Sequence, residues 1–175
     1  MFVLSQVFVV FAGIAFALTY FLKTKNNILI FSVINNIFFG THYLLLNQPT
    51  AAYTVYATIA FLIIIYFLEK YNKSKFNLLT AISFSLLSIL ITYQTWQGLI
   101  SLIPFVAIVL SYFACVFKKV YLIKLFNLFS CMTTTVNLIL IKSYLAIAQN
   151  LIILILGVIG IVLTFKDMKK QKTQE

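Results

Sequence analysis

A chain of 175 residues that is 63% hydrophobic, 17% aromatic and only 9% charged is not an ordinary soluble domain, in which about a quarter of residues carry charge. Its net charge of +10 does not make it a nucleic-acid binder, because the lysines fall in short clusters between long apolar runs and never form a continuous basic face. What remains is an integral membrane protein, and since its apolar runs are too long for barrel strands, an all-α bundle is expected.

Seven runs of membrane-spanning length follow in order. The first, residues 2–22, starts at Phe2 with no basic segment ahead of it, so it is expected to be retained rather than cleaved as a secretory signal. Lys23 and Lys25 follow it. The second, 28–46, holds Ser32, Asn35 and His42, the only histidine, within "INNIFFGTHYLLLNQP". The third, 50–68, carries Tyr53, Thr54, Tyr56 and Thr58, and Lys70, Lys73 and Lys75 come after it. The fourth, 77–95, ends in "QTWQG", where Tyr93 and Trp96 suit a membrane interface. The fifth, 99–117, contains Pro104 and Cys115 and precedes Lys118, Lys119 and Lys124. The sixth, 125–141, has Asn127, Ser130, Thr134 and Asn137 spaced to share one helix face. The seventh, 144–165, offers Gln149 and Asn150, which as neighbours are not expected to face one pore together. Gly157 and Gly160 then permit close helix approach, and a basic tail "KDMKKQKTQE" ends the chain. Cys115 and Cys131 read as small buried hydrophobes, with no disulfide or metal framework.

Twelve of the 13 lysines lie between or beyond these runs on one side, leaving Lys142 on the other. The positive-inside bias predicts an outside N-terminus and a cytoplasmic C-terminus, in keeping with an odd number of spans. Sliding the sequence on itself by 95 residues brings runs one to three onto runs five to seven. Ser32 then meets Asn127, Asn35 meets Ser130, Phe39 meets Thr134 and His42 meets Asn137. Polar groups are costly in a membrane and usually face a bundle interior, so paired polar stripes suggest a central pathway. Packing glue between helices is the alternative. The division expected is a three-helix unit over 1–70, a linking helix over 71–98, a second unit over 99–166 and a tail over 167–175.

In "THYLLLNQPTAAYTVYATI", "GLISLIPFVAIVLSYFACVF" and "TVNLILIKSYLAIAQNLIILILG" the chain resembles the YgjV-type bacterial inner-membrane protein family. That family is grouped with the SWEET, SemiSWEET and PQ-loop superfamily. The resemblance implies a SWEET-like 3+1+3 fold in the bacterial inner membrane and transport of a small solute by alternating access. A His closing helix 2 matches His42, and a Pro opening helix 3 matches Pro49. Asn137 stands where the second half commonly has His, Thr58 where an Asn is expected midway along helix 3, and Asn150 at a polar or acidic position early in helix 7. Of the prolines that serve such transporters as flexing points, Pro104 is the match, and it is the candidate hinge.

Glu69, Asp167 and Glu175 are the only carboxylates, and all lie outside the span interiors. Neither paired acids, a metal cluster, an activated nucleophile nor a phosphate loop can be assembled, so an enzyme, a metal site and a cofactor are not expected. Without intramembrane acids, facilitated diffusion is favoured over ion coupling; only His42, with an unperturbed pKa of about 6.5, could titrate. The expected solute is uncharged and polar, sugar-like or similar, held by Asn35, His42, Thr58, Asn127, Ser130, Thr134, Asn137 and Asn150. Two other readings stay open: a nicotinamide-riboside-type vitamin carrier with aromatic walls, and a non-transporting receptor or assembly subunit. Lipid and solute are the expected partners, nucleic acid is not, and a second copy of the chain is allowed but not required.

Overall fold

A computed structural model describes the backbone from Phe2 to Lys172 and the side chains from Val3 to Lys169. Among these residues there are seven α-helices and no strand: α1 (Phe2–Thr19), α2 (Lys25–Leu45), α3 (Pro49–Lys70), α4 (Asn77–Gln94), α5 (Leu102–Val116), α6 (Val120–Leu140) and α7 (Tyr144–Lys172). Short 3-10 turns at Ser74–Phe76 and Leu99–Ser101 lead into α4 and α5. By length and composition six of these segments can cross a membrane, and Val3–Thr19 is a shorter apolar helix.

Local chemistry sets the ends. The Thr24 side chain accepts a bond from the Asn27 N–H and caps α2, while Pro49 opens α3 where a missing N–H costs nothing. Three helices stop in the same way: Asn47, Asn72 and Lys142 take left-handed φ values of 53°, 57° and 56°. The next amide then bonds back to the carbonyl five residues earlier, Gln48 to Tyr43, Lys73 to Leu68 and Ser143 to Leu138. Gly98, at φ 92°, makes the turn after α4, a conformation that favours glycine.

Several boundaries differ from the sequence expectation, three of them at lysines. Helix α2 begins at Lys25 and α6 at Val120, each earlier than its apolar run, because Lys25 and Lys124 are held inside the bundle by partners instead of lying in loops. Lys124 is only 3% exposed and donates to the Thr164 hydroxyl at 2.8 Å. Helix α7 continues through Lys172, so most of the tail is helical; 173–175 lie outside the described residues.

Helices α1, α2, α3, α5, α6 and α7 each pack on the next, and α7 packs back on α1, closing a ring. Helix α4 lies against α3 and α5 outside it. Many large apolar side chains point outward, among them Leu79, Leu86 and Leu90 of α4, as lipid contact requires. Helix starts recur at a fixed interval: α2 and α6 begin at 25 and 120, α3 and α7 at 49 and 144, a spacing of 95 in both cases. One end of the bundle is rich in lysine and the other holds Lys142. Near the lysine-poor end Tyr43, Ala51, Leu138 and Ala146 are packed in the largest core cluster; at the lysine-rich end Ile28, Ala114 and Ile123 form a separate one.

Candidate functional site

Between these two packed ends, inside the ring, is a cavity of about 90 Å3 bordered by all six ring helices. Helix α2 contributes Ser32, Asn35, Asn36, Phe39 and Tyr43, and α6 contributes Asn127, Ser130, Cys131, Thr134 and Asn137. Thr58 comes from α3, Pro104 and Ser111 from α5, Gly13 and Phe16 from α1, and Gln149 and Asn150 from α7. Among the described residues no Asp, Glu, Lys or His borders it.

Some of these polar groups are engaged. The Asn36 amide donates to the Ser32 carbonyl at 2.6 Å, and the Ser130 hydroxyl donates to the Ala107 carbonyl at 2.7 Å while accepting from Ser111 at 2.9 Å. Thr58 donates to the Thr54 carbonyl at 2.8 Å and lies 3.3 Å from the Tyr112 hydroxyl, which also meets Ser88 of α4 at 3.1 Å. Asn137 reaches the Tyr43 hydroxyl at 3.4 Å, joining α6 to α2, and Asn150 reaches Thr135 at 3.3 Å. By contrast the side chains of Ser32, Asn35, Asn127 and Thr134 make no hydrogen bond to any described residue. Each free amide offers two donors and a two-lone-pair acceptor, so the cavity wall can satisfy a solute that both gives and accepts.

Seven residues singled out from the sequence therefore meet at one cavity: Asn35, Thr58, Asn127, Ser130, Thr134, Asn137 and Asn150. His42 does not, and the expectation that it faces the pathway is corrected. Its ring is fully buried, with Nδ1 2.9 Å from the Ser5 carbonyl and Nε2 3.5 Å from the Ser143 hydroxyl. A carbonyl only accepts, so Nδ1 carries the proton and Nε2 accepts. The physical reason lies in the helical step: four residues after Phe39 comes Tyr43, which keeps the cavity face, while His42 is turned toward α1. Pro104 borders the cavity but falls in the first turn of α5, where its missing N–H has no intrahelical acceptor to lose; it shapes a helix start and does not interrupt one.

Gln149 and Asn150 both border the cavity, against the expectation that neighbours could not. They part on either side of α7, Asn150 toward Thr135 of α6 and Gln149 across α1, where its amide donates to the Val9 carbonyl at 2.7 Å. Gly13 makes room for that crossing, since a Cβ there would coincide with the Gln149 amide. Tyr53 is half exposed, Thr54 bonds within its own helix, and Tyr56 meets Thr41, so none of the three belongs to the site. Trp96 is exposed in the turn after α4 and does not wall it. Asn36, Tyr43 and Ser111 went unrecognised in the sequence. Ser111 had a signal, being the only small hydroxyl inside the apolar helix α5.

No curated protein and no solved structure matches the chain. The model of the Imp-YgjV family, described as bacterial inner membrane protein, matches residues 3–168. That match covers nearly every residue of the ring and of its cavity, so the chain belongs to this family and is a multi-pass protein of the bacterial inner membrane.

Proposed function

We propose that the chain is a carrier that lets a small uncharged polar solute equilibrate across the inner membrane by alternating access, in a SWEET-like 3+1+3 arrangement with the N-terminus outside. The observation that carries this reading is the set of polar side chains without a hydrogen bond to any described residue, Ser32, Asn35, Asn127 and Thr134, facing a cavity that among the described residues no Asp, Glu, Lys or His borders. A core built only to hold helices together would pair such groups between helices, because each one left unmade costs about 1–3 kcal/mol. The lack of a charged lining favours neutral cargo and leaves no acid to relay a coupling ion. The repeat supports two equivalent units, with α2 and α6 supplying matched polar faces and α4 restoring the direction of the second unit.

At about 90 Å3 the cavity is smaller than the space that holds benzene in an engineered apolar core, roughly 150 Å3. A ring-sized solute needs the helices to part at one end, and in the proposed carrier we take this narrow cavity as the closed conformation. Uptake into proteoliposomes across sugars, nucleosides, vitamins and small amides tests the proposal. One class should equilibrate faster than through empty liposomes, and Asn35→Ala or Asn127→Ala should lower its rate at least about tenfold, the loss of roughly 1.4 kcal/mol that a solute hydrogen bond in a dry site supplies. If no solute in the panel outpaces empty liposomes, the carrier reading fails.

A further inference from the structure

Two charges stand at the wrong ends of their own helices. Lys25 is the first residue of α2, beside the positive pole of its dipole, and Glu69 is in the last turn of α3, beside a negative pole. Neither is placed for the good of its helix. Both are satisfied between helices: the Lys25 ammonium lies 2.8 Å from Glu69 Oε1, 2.5 Å from the Cys115 carbonyl and 3.1 Å from the Phe117 carbonyl. Those carbonyls are at the C-terminal end of α5, the pole that attracts a cation. The Asn77 amide, in the first turn of α4, donates to the same Glu69 oxygen at 2.5 Å. Four helices are thus tied at the lysine-rich end by one ion pair whose side chains are only 10% and 18% exposed.

The knot lies directly under the cavity. Cys115, whose carbonyl binds Lys25, has its own place on the cavity wall, and Ile28, three residues from Lys25, is on the wall too. We propose that Lys25 and Glu69 form the gate that closes this end of the carrier, which rests on the alternating-access reading above. When the gate opens, Lys25 leaves Glu69 and the α5 carbonyls, the ends of α2 and α3 part from α5, and the cavity floor meets the aqueous phase. In a half-buried setting a broken pair leaves an uncompensated charge, so the closed state is held firmly until water or solute replaces the lost partners.

Cys115 is 5% exposed and, with Cys131→Ser, is the only thiol, which makes it a native reporter of that opening. In vesicles of both orientations, a membrane-impermeant maleimide should label Cys115 slowly in the Cys131→Ser chain. Adding Glu69→Gln or Lys25→Met should speed labelling about tenfold, equivalent to roughly 1.4 kcal/mol of closed-state preference, and only from the lysine-rich face. Lys23→Met, which breaks the exposed pair to Asp167, should label at the parent rate. The double variant Lys25→Met/Glu69→Gln leaves no unpaired charge, so it keeps the test open where a single variant does not fold; it too should label faster. Parent-rate labelling in the folded clamp variants, or acceleration from both faces alike, overturns the gate. Labelling needs no transported solute, so a gate that opens without uptake fails the carrier reading alone, and uptake with unchanged labelling fails the gate alone.

Discussion

A histidine alone in a membrane helix invites a proton-handling role, but the surroundings of His42 assign it another. Ser5, Ser143, Phe39 and Tyr43 enclose it, and both ring nitrogens are used by a neutral imidazole that joins α1 and the start of α7 to α2. Among the described residues no carboxylate or lysine contacts it. His42→Leu should therefore lower stability by about 1–3 kcal/mol, the cost of leaving buried groups without partners, read as a lower midpoint of thermal unfolding in detergent. His42→Asn keeps a donor near the Nδ1 position and should transport at close to the wild-type rate, with the same profile between about pH 5 and 8. A pH dependence that disappears in the Asn variant would return the ring to proton chemistry. The polar face of α6 was legible from spacing, and the offset of 95 placed Ser32 and Asn35 of α2 on the matching face but His42 wrongly, because periodicity fixes an angle around a helix and says nothing of what stands opposite.

At the scale of elements, the two seams of the ring are built differently. The α3–α5 seam is backed by α4 and fastened by Tyr112, which bridges Thr58 and Ser88. The α1–α7 seam has no such cover and depends on glycines. At Gly13 the obstacle to a Cβ is the far end of the Gln149 side chain, which can swing; at Gly160 it is the carbonyl of Tyr20, just past the end of α1, 2.5 Å away, which is backbone and can shift only with the chain. Gly160→Ala should consequently lose about 1–3 kcal/mol of stability. Gly13→Ala should fold nearly as well as wild type and instead displace Gln149 from Val9 toward the cavity, lowering solute affinity. Equal destabilisation of the two variants would refute this distinction. Sequence alone suggested close approach at Gly157 and Gly160 but not at Gly13. Nothing in a one-dimensional pattern pairs Gly13 with Gln149, which is far along the chain. Lys124 was misplaced for a related reason: its charge argued for a loop, and the Thr164 hydroxyl on a neighbouring helix offsets part of the cost of its buried position.

For the whole molecule, the 95-residue interval is written more firmly in the backbone than in the side chains. Lys142 has the left-handed turn conformation of Asn47, although the lysine gains nothing locally from it, and the helices that follow begin at matching residues. The turns match at this interval while the side chains do not: His42 ties α2 to α1, and Asn137, 95 residues on, borders the cavity. The closures at the lysine-rich end differ as well. At the interval of 95 residues Glu69 falls on Thr164 and Lys25 on Val120, so the bond from Lys124 to Thr164 is made by a lysine at a different position, and the exposed Lys23–Asp167 pair lies at the same end. In the orientation proposed above, the ion-paired knot faces the cytoplasm. Alkaline phosphatase, active only after export, distinguishes the possibilities. Inserted in the turn at Lys142 it should be active, and fused after the C-terminus it should be inactive. The reverse pattern would put the lysine-rich end outside, and with it the gate.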